Sequence, residues 1–204
     1  MARPKTNKVE VREQMLEALD ALIKRQGSHR VTVSEVADAC GMSQSNAYRF
    51  FPSKKAMMEA GVERWFLAID AELGDIAAAG GDPEARLARF LKRRYELKRA
   101  KHDADPELFA AHLAVAGEYA EAIAPHIGRM SSMLESIIAD GVAAGLYPGL
   151  SSAELAIIVE MLAEGFSSPW LIARDHEVLT PARVDGAIAA ILAGIRAAAF
   201  RQGS

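Results

Sequence analysis

The chain has 204 residues, half of them apolar and a quarter charged, with a net charge of −3 and a single cysteine. That is the composition of an ordinary globular protein, too long for one small helical motif, with no intrachain disulfide and a leaning toward a reducing, cytoplasmic compartment. The charge is uneven: residues 1–55 hold ten Lys/Arg against six Asp/Glu, and residues 56–204 hold fourteen against twenty-one. A basic head on an acidic body fits a head that meets phosphate and a body that does not. The N-terminus has no apolar signal core, and no apolar stretch reads as long enough to span a bilayer.

Residues 1–7 carry Arg3, Pro4 and Lys5 without periodicity, and read either as a frayed terminus or as a basic arm. Residues 8–26 predict a first helix with Val11, Met15, Leu19, Leu22 and Ile23 on one face, stopped by Gly27. In residues 31–55, Thr32-Val33-Ser34-Glu35 forms a capping-box pattern, and Val36, Ala37 and Cys40 recur at helical spacing. A small buried thiol is the default reading of Cys40. Gly41 marks a turn, and Ser43 is an N-cap for a second helix that opens on the polar run Gln44-Ser45-Asn46. Ala47, Phe50 and Phe51 give that helix its apolar face, and Pro52-Ser53 ends it. Two short capped helices about a tight turn are the layout of a helix-turn-helix.

Residues 54–78 predict a long connecting helix with a broad apolar face, ended by Gly80-Gly81-Asp82-Pro83. Everything after it reads as helix, with no strand pattern and no repeat. Residues 83–101 place Leu87, Phe90, Leu91, Tyr95 and Leu97 on one side. Lys92, Arg93, Arg94, Lys98, Arg99 and Lys101 fall on the other, which reads as a solvated face offset by acidic neighbours rather than as a second nucleic-acid patch. Further helices are expected over 106–122, from Pro125 to about Ala144 with Ile127 and Met130 inward, over 152–172 and over 181–200. The last two are unusually apolar, and the final one is rich in Ala and Gly, which lets helices approach closely. They read as an oligomer interface.

The residues Thr32, Val36-Ala37, Gly41, Ser43, Tyr48, Phe51, Ser53 and Lys54, at their spacing, make the chain resemble the TetR family of transcriptional regulators over about residues 8–67. Beyond that stretch the resemblance is architectural. It implies an all-α protein with a three-helix DNA-binding domain over 1–55 and a ligand-binding and dimerisation domain over 56–204, with 54–78 as connecting helix. It also implies a homodimer, paired through 152–172 and 181–200, that reads a palindromic double-stranded operator and is released by a small-molecule inducer. Carried over residue by residue, Gln44, Ser45 and Asn46 meet base edges, where Gln and Asn suit adenine. Tyr48 meets the DNA backbone, and Arg49 a phosphate or a guanine. Thr32, Ser34 and Lys54 hold phosphates, and Ser43 acts mainly as a cap.

The body offers candidates for an apolar or aromatic inducer rather than a signature. They are Tyr95, Phe109, His112, Tyr119, His126, Met130, Met133, Met161, Phe166 and Trp170. No two histidines stand at i, i+3 or i, i+4, so no helix face presents a metal pair, and no cofactor is implied. There is no nucleophile elbow and no phosphate-binding glycine loop, so a regulator rather than an enzyme is expected. The competing reading is an all-helical ligand- or metal-binding protein, or an enzyme, whose helix-turn-helix no longer reads DNA.

Overall fold

The computed structural model describes residues 7–197, and among them the regular structure is entirely helical. The arm with Arg3, Pro4 and Lys5, and the expected end of the last helix beyond residue 197, lie outside the described residues. The described chain divides into two compact units. One runs to Trp65 and takes in Glu107–Ala124; the other holds Phe66–Pro106 and the chain from Pro125 on.

In the first unit, α1 (Lys8–Gln26) starts at Asn7, whose side chain accepts from the Val9 N–H at 3.1 Å. It ends at Gly27, whose φ of +80° suits a residue without a Cβ. Its buried stripe is Val11, Met15, Leu16, Leu19, Leu22 and Ile23. A short 3-10 turn, Ser28–Arg30, leads to α2 (Val33–Ala39) and α3 (Gln44–Phe50). The capping box forms as expected: Thr32 Oγ1 accepts from the Glu35 N–H, and Glu35 accepts from the Thr32 N–H at 2.8 Å. Gly41 turns the chain at φ +64°, and Ser43 Oγ accepts from the Asn46 N–H. α1 packs on α2 and α2 on α3. Val31, Val36, Ala37, Ala47 and Phe51 fill the space between them. Each such Val or Phe side chain stabilises by about 1.5–3 kcal/mol, each Ala by less. Cys40 is not in this core: it sits at the C-cap of α2, part-exposed, its Sγ 3.6 Å from the Gln14 carbonyl.

α4 (Lys54–Ala78) contributes residues to both units. α6 (Pro106–Glu118) belongs to the first. There Trp65 of α4 meets Phe109 edge-on at 5.3 Å between ring centroids and stacks on His112 at 5.4 Å. His112 Nε2 also lies 3.1 Å from Asp20 Oδ1 of α1, at ion-pair distance but without hydrogen-bond geometry. Arg64 pairs with both Glu13 and Asp20, and Ser28 Oγ donates to Glu118 at 3.1 Å.

The second unit is built on α5 (Pro83–Ala104), which packs against α8 (Ser152–Ser167), α9 (Pro169–Asp175) and α10 (Pro181–Ala197). α7 (Ala120–Ala143) begins before the proline expected to open it: Pro125 lies inside the helix. Proline has a helical φ and here deletes one hydrogen bond without stopping the helix. Ile127, expected inward, is 57% exposed, whereas His126 and Met130 are buried. At the far end of α7, Gly141 faces Tyr147 so closely that an added Cβ would stand 2.3 Å from the ring.

The helix expected over 152–172 is two helices, because Ser168-Pro169 ends α8 and starts α9. Contrary to the sequence reading, Ser152–Asp175 is long and apolar enough to cross a membrane by length and composition, with a mean hydropathy of 1.4. Leu155, Ala156, Val159, Ala163 and Phe166 of this stretch are buried in the second unit, while Ile157, Met161, Leu162 and Trp170 are exposed.

Candidate nucleic-acid interface and ligand site

The exposed end of α3 presents Gln44, Ser45, Tyr48 and Arg49 to solvent, with Asn46 half-buried beside them. The caps on Thr32 and Ser43 hold both short helices in register. They satisfy part of each first turn and leave the side chains of α3 outward. Ser34 is half-buried in the first turn of α2. The Glu35 carboxyl is held below its ordinary range by hydrogen bonds from Gln26 and Thr32. Lys54 Nζ donates to the His29 carbonyl at 2.8 Å, which ties the 3-10 turn to the start of α4 and leaves two ammonium protons for another acceptor.

An open groove of about 820 Å³ runs beside α3, lined by Lys8, Val9, Val11, Arg12, Gln14, Cys40, Met42, Asn46, Arg49 and Phe50. The sequence reading did not single out Lys8 or Arg12. In the fold they face the same groove as Asn46 and Arg49, with the Arg12 guanidinium 5.4 Å from the centre of the Phe51 ring. The signal available in sequence was their place among the ten cations of residues 1–55. Three cations around one groove beside the polar end of a helix suit a phosphate backbone.

The body candidates do not converge on one place. Phe109, His112 and Tyr119 belong to the first unit, packed or half-buried there. Tyr95, His126, Met130 and Phe166 are buried in the second, and Met133 is half-buried beside Gly74. The Tyr95 hydroxyl donates to the Leu179 carbonyl. Met161 and Trp170 point outward, 73% and 50% exposed.

What the second unit does gather is charge. Arg94 and Lys98, expected on the solvated face of α5, are buried at 8% and 3% exposure. They continue the stripe of Leu87, Phe90 and Leu91 at helical spacing. Arg94 Nη1 donates to Glu160 at 2.7 Å, and Lys98 Nζ donates to the Ser167 carbonyl at 2.8 Å. Burial, then the neighbouring Arg94, brings the Lys98 ammonium down to about 7. Asp70 takes His126 Nδ1 at 2.5 Å and Arg129 Nε at 2.6 Å, and Phe66 stacks on the His126 ring at 3.9 Å. Burial is the main cause that lowers His126 to about 4, aided by Lys98 and Arg94 and opposed by Asp70. Arg94 Nε, Glu160 Oε1 and Ser167 Oγ are buried with no hydrogen-bond partner. Among the described residues no three His, Cys, Asp or Glu side chains gather as a metal site.

Residues 15–60 match the family model of bacterial regulatory proteins, tetR family, and residues 83–200 match that of the tetracyclin repressor-like C-terminal domain. The HTH-type transcriptional repressor KstR of Mycolicibacterium smegmatis is 29% identical over 133 residues, 65% of either chain. The nucleoid occlusion factor SlmA of Haemophilus ducreyi is 45% identical over 62 residues, 30% of this chain and 31% of its own. The chain thus spans less than two thirds of the length of these curated relatives. The transcriptional regulator FadR from Bacillus subtilis, solved in complex with stearoyl-CoA, shares the fold at a TM-score of 0.64 and 14% identity, over 91% of this chain and 97% of that one.

Proposed function

Because the chain belongs to the tetR family of bacterial regulatory proteins, we propose that it is a DNA-binding transcriptional repressor released from a palindromic operator by a small molecule. The observation that carries this reading is the pair of capped helices α2 and α3, with Gln44, Ser45, Tyr48 and Arg49 free at the polar end of the second. Gln44 and Asn46 read base edges. Tyr48, Arg49, Thr32, Ser34 and Lys54 hold the backbone, joined by Lys8 and Arg12 across the groove. The similarity to a transcriptional repressor, KstR, supports the direction of regulation.

The active species is a homodimer paired through α8, α9 and α10. Ile157, Met161, Leu162 and Trp170 are exposed apolar side chains on α8 and α9. α10 exposes Gly186, Ala189, Ala190, Ala193 and Gly194. Apolar and small residues together suit a second copy packed closely. An inducer in the body acts by binding one state of the protein more tightly than another. α4 carries the difference, since one continuous helix supplies residues to both units.

The test is a gel-shift titration with the palindrome upstream of this gene or its neighbour. Gln44→Ala and Asn46→Ala should each weaken operator binding by about 1–3 kcal/mol and relax the base preference at one position. Lys54→Ala should weaken binding to all sequences and flatten its salt dependence. Unchanged affinity for Gln44→Ala would place a different residue at the reading position.

A further inference from the structure

A buried ammonium is costly unless it is paired. Lys98 is 3% exposed, and its one partner is the neutral Ser167 carbonyl in the last turn of α8. A capping role accounts for one of its three protons. The charges that face it are engaged elsewhere or exposed, apart from Glu160 Oε1, which is buried without a partner. On α5, Arg94 is paired with Glu160 of α8. On α4 and α7, Asp70 is taken by Arg129 and His126. Glu164 of α8 is exposed to solvent. No carboxylate among the described residues reaches Lys98 at ion-pair distance. Two further buried donors, Arg94 Nε and Ser167 Oγ, have no partner either. The three belong to two packed helices joined by both links, Arg94 to Glu160 and Lys98 to Ser167. Glu160 offsets Arg94, so one positive charge remains. That count fits a singly charged acceptor better than a doubly charged phosphate.

We infer that Lys98, Arg94 and Ser167 form the head-group end of the ligand site in the body, and that it takes the carboxylate of an otherwise apolar small molecule. The inference rests on the proposed reading of the body as an inducer-binding domain. The carboxylate accepts from Lys98 Nζ, Arg94 Nε and Ser167 Oγ and supplies the missing negative charge. Binding then draws a proton onto Lys98. The free amine titrates at about 7, and a bound anion raises that value.

The test is isothermal titration of the free, full-length protein with octanoate, octanamide and octylamine, which share a chain and differ in the head. Octanoate should bind about tenfold or more tighter than octanamide, because a charged acceptor meets charged donors, and octylamine should not compete. Above pH 7 octanoate affinity should fall toward tenfold per pH unit, with proton uptake visible as a heat that depends on buffer ionisation. Lys98→Met should erase the preference for octanoate over octanamide. Lys98→Arg should keep the preference and lose the proton uptake, since a guanidinium stays charged. A lysine that merely capped α8 would give neither result. Equal binding of octanoate and octanamide, no saturable octanoate binding, or octanoate binding without proton uptake would each overturn the inference. Because binding is read without DNA, such a failure leaves operator recognition standing. A protein that passes here but ignores every palindrome fails the other reading alone.

Discussion

The two compact units differ most in what they bury. Among the described residues, the unit that carries α3 buries only Ser28 and His112 among polar side chains, while the other buries Asp70, Arg86, Arg94, Lys98, His102, His126, Ser167 and Ser168. The first caps its helix ends with Asn7, Thr32 and Ser43, holds Asp20, Arg64 and His112 in one cluster, and otherwise fills its interior with apolar side chains. The second carries charges through the middle of a helical bundle, where apolar residues of similar volume would serve stability as well or better. Reading DNA requires a rigid frame under an exposed face. Recognising a small molecule requires polar atoms held inside.

The largest test of that contrast is Asp70→Ala, which leaves the buried His126 ring and the part-exposed Arg129 without their carboxylate. It should cost about 3 kcal/mol in urea unfolding, for two hydrogen bonds lost from a charged acceptor with His126 neutral and Arg129 in part reached by water. A cost below 1 kcal/mol would mean that water already reaches this group and that the charged interior is not dry. A smaller effect comes from pH. His126 titrates at about 4 in the folded protein, against about 6.5 for a free imidazole, so the fold favours its neutral form. The unfolded chain therefore takes up the proton first. The stability contributed is fully present above pH 6.5 and is lost as pH falls toward 4, to a total of about 2–3 kcal/mol. Urea midpoints of the wild type and His126→Gln between pH 7 and pH 4 should converge on acidification; parallel curves would assign the loss to other groups. The smallest expected effect is in the first unit. Thr32→Ala removes one half of a capping box at the surface and should cost about 1 kcal/mol, independent of pH above the range in which Glu35 titrates. If it cost as much as Asp70→Ala, the two units would not differ in the way described.

Much of the frame was legible because its signals are local. The caps at Thr32 and Ser43 and the turns at Gly27 and Gly41 each depend on neighbours within four residues, and all appear where the sequence puts them. The body was harder because its deciding facts are long-range. Arg94 and Lys98 were assigned to water on residue type, although they continue the spacing of Leu87, Phe90 and Leu91. Periodicity pointed inward and charge pointed outward, and packing against α8 settled it. Pro125 was read as a helix start although one lost hydrogen bond inside α7 is tolerable. The aromatic and histidine candidates have only residue type in common. The chain returns to the first unit at Glu107 and leaves it after Ala124, which separates Phe109, His112 and Tyr119 from the rest. No local pattern announces such a return.

That return bears on how the protein can be cut and recombined. A reading module excised at residue 65 would lose Phe109 and His112 from the sides of Trp65, His112 from beside Asp20, and Glu118 from Ser28. The wound would be an apolar face with a half-neutralised carboxylate on it, an aggregation hazard rather than a transferable part. A biosensor builder who grafts the proposed reading head onto another sensing body must bring residues 107–124 as well, or choose a recipient whose own helix at that place carries an aromatic and a histidine. The unit that carries α2 and α3 is therefore discontinuous in sequence: two separate stretches of gene that have to travel together.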